Sequence, residues 1–363
     1  MPEPFVSVLI DTYNHERFIE EAVNSVLAQD FPASGREILV VDDGSTDHTP
    51  EILKKFEPHI RILRKTNGGQ ASAFNHGIPE CRGEVIASLD GDDWWAPGKL
   101  RMVSDTMKSN PSLGMLGHSY DLVQTGRPPE VIVTRQDLNV SLRDAHSAEI
   151  FRLHRPYLGT SRLVLRAHVA RQCLPVPEAL VFEADEYLFT VAAAISGGLI
   201  STQTLTHYRI HGGNLSVSGG GSTDGARRKR IILEALSSHL RRVLPPLGVP
   251  PDAMKTVLEA VDVEAAHLRL SVDEGWSWEV FRTETALYRM LHADASRRSV
   301  VFRWLSMIPA LLLPPRYFYG LRRFLSSQTW YSRVRNELVP IPRVTVPVPP
   351  PDKPVGSDSN PDR

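Results

Sequence analysis

The chain has 363 residues, 41 Lys+Arg against 42 Asp+Glu, a formal net charge of −1 and 42% hydrophobic residues. That composition belongs to a folded protein with a sizeable core and room for about two domains; it excludes a disordered chain and a uniformly basic nucleic-acid binder. Two cysteines, Cys81 and Cys173, cannot form a disulfide framework and fit a reducing compartment.

Residues 5 to 120 alternate between two periods. The apolar run Val6 to Ile10 has strand length, and Phe18, Ile19, Ala22, Val23, Val26 and Leu27 follow as one helical stripe. Strands at Ile38 to Val41, Ile60 to Leu63 and Val85 to Leu89 are each followed by a helix, near Thr49 to Phe56, Gln70 to Ile78 and Lys99 to Asn110. Strand–helix alternation with short connections implies βαβ units and a mainly parallel α/β sheet. Helices on both faces explain strands that are continuously apolar. From Met115 the pattern weakens. Val131 to Thr134, Arg162 to Leu165 and Leu205 to Ile210 read as strands, and Tyr187 to Ile195 as a helix. Gly219-Gly220-Gly221-Ser222 reads as a flexible break. Helices are expected at Arg227 to Leu244 and Ala253 to Leu270, and disorder in the Pro-rich tail. The N-terminus lacks a basic region and a cleavage site, so no signal peptide is expected. No apolar stretch reaches the roughly 18 residues of a spanning helix.

The carboxylates fall at strand ends. Asp11 ends the first strand, Asp42 and Asp43 the second, and Asp90, Asp92 and Asp93 the fourth. Ligands of an open α/β sheet bind outside the carboxyl ends of its strands, so one rim receives acidic groups from three strands. Each Asp alone also suits a helix cap or turn. The run Asp90-Gly91-Asp92-Asp93 is sharper. Its carboxylates repel one another, which raises pKa values or holds a cation. Oxygen donors suit Mg²⁺ or Mn²⁺, and such an ion stabilises a departing diphosphate. The Asn67-Gly68-Gly69 loop before a helix offers backbone N–H groups to phosphate. No G-x-G-x-x-G follows the first strand and no Walker A sequence is present.

Taken as a set, these residues resemble a family 2 glycosyltransferase of the GT-A fold. Val6-Ser7-Val8-Leu9-Ile10 with Tyr13-Asn14 resembles its opening strand, and Val41-Asp42-Asp43-Gly44-Ser45-Thr46-Asp47 its nucleotide-binding turn. Asn67-Gly68-Gly69-Gln70-Ala71 with Asn75 and Gly77 resembles the loop and helix that follow. Gly83-Glu84-Val85-Ile86 and Leu89-Asp90-Gly91-Asp92-Asp93 resemble the strand ending in the D-x-D metal motif. The likeness spans roughly residues 5 to 217. It implies that Asp43 bonds the base, uracil, with Asp11 and Tyr13 beside it. It implies that Asp92 coordinates the metal, with Asp90 near the ribose or the ion's water shell. Asp185, in Glu183-Ala184-Asp185-Glu186, takes the family's general-base position, although the same residues suit a helix N-terminus. The segment Tyr208 to Ser216 also resembles the family, where Arg209 or His211 would reach the diphosphate or metal. The implied activity is inverting, metal-dependent transfer from a UDP-sugar to a glycan or lipid-linked acceptor. A nucleotidyltransferase and an inactive membrane-bound scaffold are the alternative readings.

The organisation expected is a catalytic domain over 1–217, a linker over 218–225, a helical region over 226–339 and a disordered tail over 340–363. From Ala295 to Asn336 there are eight arginines and no acid, so the remainder carries −9. Arginines mixed with Leu, Phe, Trp and Tyr across 297–335 suit an anionic membrane surface at its inner, cytoplasmic face, or a helical hairpin packed on the acidic body. No nucleic-acid partner is expected.

Overall fold

The computed structural model describes residues 5–214, 223–272, 277–291 and 307–327. The central strands are β1 (Val6–Thr12), β2 (Arg36–Asp42), β3 (Arg61–Arg64) and β4 (Val85–Asp90), all parallel. The helices after them are α1 (Ile19–Leu27), α2 (Thr49–Lys54) and α3 (Gln70–Gly77), and α4 (Lys99–Ser109) follows the short β5 (Trp94–Trp95). These are the βαβ units that the periodicity predicts. Beyond them the sheet becomes mixed. It runs β3-β2-β1-β4-β9-β6-β10-β5, where β6 is Met115–Gln124, β9 is Val164–Arg166 and β10 is Gly198–Ile210. Strand β9 is antiparallel to both β4 and β6, and β10 returns parallel to β6. Two short strands, β7 (Glu130–Ile132) and β8 (Leu138–Val140), pair with β6 and β10.

Strand side chains alternate between two cores. Val8, Ile10, Val40 and Leu89 pack with Ile19, Val23 and Val26 of α1 and Leu100 and Val103 of α4. Leu9, Leu39, Val41 and Ile86 pack on the other face with Phe74 of α3, Phe151 of α5 (Ala145–His154) and Phe189 of α7 (Ala184–Ile195). Burial on both faces is why these strands carry no polar alternation.

Helices α8 (Thr223–Val243) and α9 (Pro251–Val272) join that second core through Ile232, Leu236, Leu240, Val257, Val261 and Leu268. They also brace the start of α7 by charge. Lys229 of α8 bonds Glu183 at 3.2 Å and Glu264 of α9 at 2.9 Å. Arg155 joins Glu186 to Glu264. Of the expected linker 218–225, residues 223–225 already belong to α8; the rest, with the Gly219–Gly221 break and the tail 340–363, lies outside the described residues. Of the cationic segment 297–335, residues 307–327 are described. Met307, Ala310, Phe318 and Tyr319 pack on Leu270 and on Val280 of α10 (Ser277–Leu291), with α11 (Pro315–Ser327) as the last described helix. Among the described residues no helix is long and apolar enough to cross a membrane.

Candidate active site

Register brings the carboxylates together. In the parallel pairs Thr12 lies opposite Asp42 and Asp11 opposite Asp90. The chain then turns over the sheet edge, where Gly91 N–H donates to Asp11 O and Asp43 N–H donates to Thr12 O, both at 2.9 Å. A Cβ on Gly91 would lie 2.6 Å from Thr12 Oγ1 and 2.8 Å from His15 Nδ1. Only glycine lets the Asp90–Asp93 turn sit this close to the loop after β1.

Asp90, Asp92 and Asp93 offer oxygens within 4.8 Å of one another. Asp92 Oδ2 accepts from His211 Nε2 at 2.9 Å and Asn214 Nδ2 at 3.3 Å, with His15 Nε2 at 4.0 Å. Burial raises the Asp92 pKa, but the His211 bond and the two imidazoles outweigh it and hold the carboxyl below its ordinary value. Its neighbours go the other way. Burial, then the Asp92 charge, pushes Asp11 up to about 8 and Asp93 up to about 7. Asp90 is raised well above 3.8 by burial, then by Asp11 and Asp92. One oxygen of Asp11 and one of Asp93 are buried with no hydrogen-bond partner. Orphaned buried carboxylate oxygens beside a like-charged group fit a hard divalent cation, and one imidazole in the set suits Mn²⁺ as well as Mg²⁺. Asp93 itself is fully buried and its Oδ1 takes Arg209 N–H at 2.8 Å.

One expected role changes, and one pair of alternatives is narrowed. Gly68 and Gly69 N–H groups do not face open solvent for a phosphate; they donate to Asp43 at 2.7–3.1 Å, joined by Lys65 Nζ at 2.6 Å. Strand β3 ends beside Asp42, so residues 65–69 fold over the neighbouring carboxylate. Asn67 is therefore part of a loop organised around Asp43. The Arg209 guanidinium bonds none of the Asp90, Asp92 and Asp93 carboxylates among the described residues. It donates to Asp92 O, pairs with Glu21 and lies between Phe18 and Trp94. His211, not Arg209, reaches the Asp92 side chain. Tyr13 is exposed on the loop after β1, where Asn14 accepts from Thr46 N–H at 2.8 Å and ties that loop to the turn after β2.

Asp185 lies in the first turn of α7, and it is not the cap: Glu183 precedes the helix with φ of 60° and caps nothing through its side chain. Asp185 Oδ2 accepts from Thr160 N at 3.0 Å and Thr160 Oγ1 at 3.2 Å. Its charge is among those raising Asp11 and Asp90, which places it at the same crevice. Sequence reasoning missed Thr160 and Ser161. This 3₁₀ turn (Thr160–Arg162) joins the two halves of the site, since Ser161 Oγ bonds Asp90 at 3.0 Å through its N–H and 3.3 Å through its carboxylate. Ser161 O is fixed from below by Trp95, Lys99 and Thr206. Gln70 completes the link, bonding Thr160 and the Ala184 N–H.

The raised carboxyls give a pH dependence with a defined sign. In the unfolded chain these groups lose their protons near 3.8, in the folded protein nearer 7 to 8. The folded state binds more protons between those values, so stability falls as pH rises through this window. A divalent ion held by these carboxylates would take the protons' place. The rise in Tm on replacing EDTA by Mn²⁺ should be larger at about pH 8 than at about pH 5, read by scanning fluorimetry. Equal rises would show that these carboxyls do not hold the ion.

A mixed sheet whose parallel strand ends gather Asp11, Asp90, Asp92 and Asp93, with Asp185 on a neighbouring helix, is the layout of the GT-A fold. Comparison with known proteins agrees. The profile of Glycosyl transferase family 2 matches residues 7–149. An uncharacterized glycosyltransferase of Nostoc sp., alr2836, is 30% identical over 258 residues, covering 67% of this chain and 76% of that protein. The chain belongs to glycosyltransferase family 2 and is a transferase. The fold is shared with S. aureus TarS 1–349 in complex with UDP-GlcNAc (TM-score 0.53, 19% identity, 88% of this chain and 91% of that one). It is also shared with the mannosyltransferase PcManGT of Pyrobaculum calidifontis in complex with GDP-Man and Mn²⁺ (TM-score 0.51, 17% identity, 92% and 84%).

Proposed function

We propose that this chain is an inverting, divalent-metal-dependent transferase. It moves a sugar from a nucleotide-sugar, a UDP-sugar, to a hydroxyl of a glycan or lipid-linked acceptor in cell-surface polysaccharide synthesis. The observation that carries this reading is the gathering of Asp90, Asp92 and Asp93 within 4.8 Å of one another, with Asp11 opposite Asp90 in register and Asp185 linked to Asp90 through the Thr160–Ser161 turn. Nucleotide sugars are the ligands of the two fold neighbours, which supports the donor class at the level of the fold. Asp92, Asp90 and His211 would hold the ion. Bound there, Mg²⁺ or Mn²⁺ supplies the positive charge that makes a nucleoside diphosphate a competent leaving group.

The chain's own groups do the rest. Asp43, fixed by Lys65 and the Gly68 and Gly69 amides, shapes the base end of the crevice, with Tyr13 exposed nearby. Asp185, oriented by Thr160, takes the proton of the acceptor hydroxyl as it attacks the anomeric carbon. Attack from the side opposite the diphosphate inverts the configuration. The acceptor is met at the cytoplasmic face of an anionic membrane. Ile308, Leu311, Leu312, Tyr317, Leu321 and Phe324 are all exposed within one stretch whose surrounding sequence carries arginines and no acid. Such a surface suits an anionic interface.

The test is a panel of nucleotide sugars with Mn²⁺, using anionic phosphatidylglycerol or neutral phosphatidylcholine vesicles loaded with lipid-linked acceptors. Transfer should use one UDP-sugar, stop with EDTA, give the inverted anomer by NMR and run faster on the anionic vesicles. A product of retained configuration would contradict the mechanism, and equal rates on both vesicles would contradict the membrane surface.

A further inference from the structure

Among the described residues most cations around this site have partners, Lys99 bonding Ser161 O and Thr206 Oγ1. Lys65 pairs with Asp43, Arg209 with Glu21, Lys229 with Glu183 and Glu264, and Arg155 with Glu186 and Glu264. Arg162 forms no ion pair among the described residues, and its Nε and Nη1 are buried without a hydrogen-bond partner. Its guanidinium lies 4.3 Å from the Tyr120 ring centre and 5.3 Å from that of Tyr208. It also stands next to the base. A Cβ on Gly159 would sit 2.1 Å from Arg162 Nη2 and 3.5 Å from Asp185 Oδ2, so the two groups flank one point of the backbone.

Buried guanidinium N–H groups without acceptors are costly, and the cost is recovered only when an acceptor arrives. The planar fork matches carboxylate and phosphoryl oxygens in a bidentate way. The Tyr120 and Tyr208 rings, set edge to face at 84°, hold the guanidinium from two sides by cation–π contact. The position is on the Asp185 side of the crevice, apart from the Asp43 and Lys65 end. An acceptor entering here also meets Asp185, Asp90 and Asp11, whose field repels an anion unless a cation offsets it.

We propose that Arg162, held on Tyr120 and Tyr208 beside Asp185, binds an anionic group, carboxylate or phosphoryl, carried by the acceptor. This rests on the assignment of Asp185 as the base. The enzyme would thereby select acidic or phosphorylated acceptor sugars over neutral ones.

The experiment is calorimetric titration of the full chain, saturated with UDP and Mn²⁺ so that the diphosphate subsite is filled. The probes are methyl β-glucuronide, glucose 1-phosphate and neutral methyl β-glucoside. At least one anionic probe should bind about tenfold or more tighter than the neutral one, the scale of a charge-assisted bidentate pair. Which of the two does so separates carboxylate from phosphoryl recognition. Arg162→Met should erase the preference and leave UDP affinity unchanged. Should that variant not fold, Arg162→Lys, which keeps the charge and loses the fork, should reduce the preference. No preference in the wild type, or an undiminished one in the variants, overturns the proposal. Failure of the wild type to bind UDP with Mn²⁺ at all would instead overturn the donor-site reading on which the assay stands.

Discussion

Asp92→Asn should lower kcat/KM by about 10³-fold or more, roughly 4 kcal/mol of transition-state stabilisation, while the protein stays folded. The side chain is at the centre of the acidic rim. It bonds His211 and Asn214, and its charge raises Asp11, Asp90 and Asp93. Asparagine keeps the shape and an acceptor for His211 and removes only the charge. The loss should appear in kcat and in the response to metal, since excess Mn²⁺ would restore little. Activity within a few-fold of wild type, insensitive to EDTA, would remove Asp92 from the metal site.

Asp185→Asn should lower kcat by about 10²–10⁴-fold, the usual value of a positioned general base. The donor KM should not move, because Asp185 belongs to the Thr160 turn and α7, not to the Asp43 loop. An asparagine oxygen still accepts from Thr160 N–H, so the local structure survives. A change confined to donor KM would assign the base elsewhere.

Much of this site is legible in the sequence because its chemistry is placed by strand ends. Asp11, Asp43 and Asp92 follow continuous apolar runs, and parallel pairing of such runs aligns their ends whatever the details of packing. Helices α1 to α4 were legible for the same reason, each carrying one apolar stripe. Strand β6 was not. Its Met115–Gln124 sequence includes His118, Ser119 and Tyr120, which are buried, so hydropathy gives no warning. Helix α5 was missed as well, its apolar side chains being few.

The Thr160–Ser161 turn is a different kind of omission. Nothing local marks it as the link between Asp185 and Asp90; it reaches them only because β9 inserts antiparallel between β4 and β6. The Asn67–Gly69 loop shows the converse. Its glycines do mark a close approach, and Gly69 has φ of +81° with Val181 backbone 2.7 Å from where a Cβ would be. What the local pattern cannot say is that the N–H groups point to Asp43. That follows from the pairing of β2 with β3.

Calorimetry of UDP binding tests the central claim most directly, in Mn²⁺ and in EDTA, for wild type and Asp92→Asn. If the converging carboxylates hold a cation against the donor diphosphate, UDP should bind at least about tenfold tighter with Mn²⁺, and the variant should lose that difference. Equal affinity in Mn²⁺ and EDTA for the wild type would contradict it.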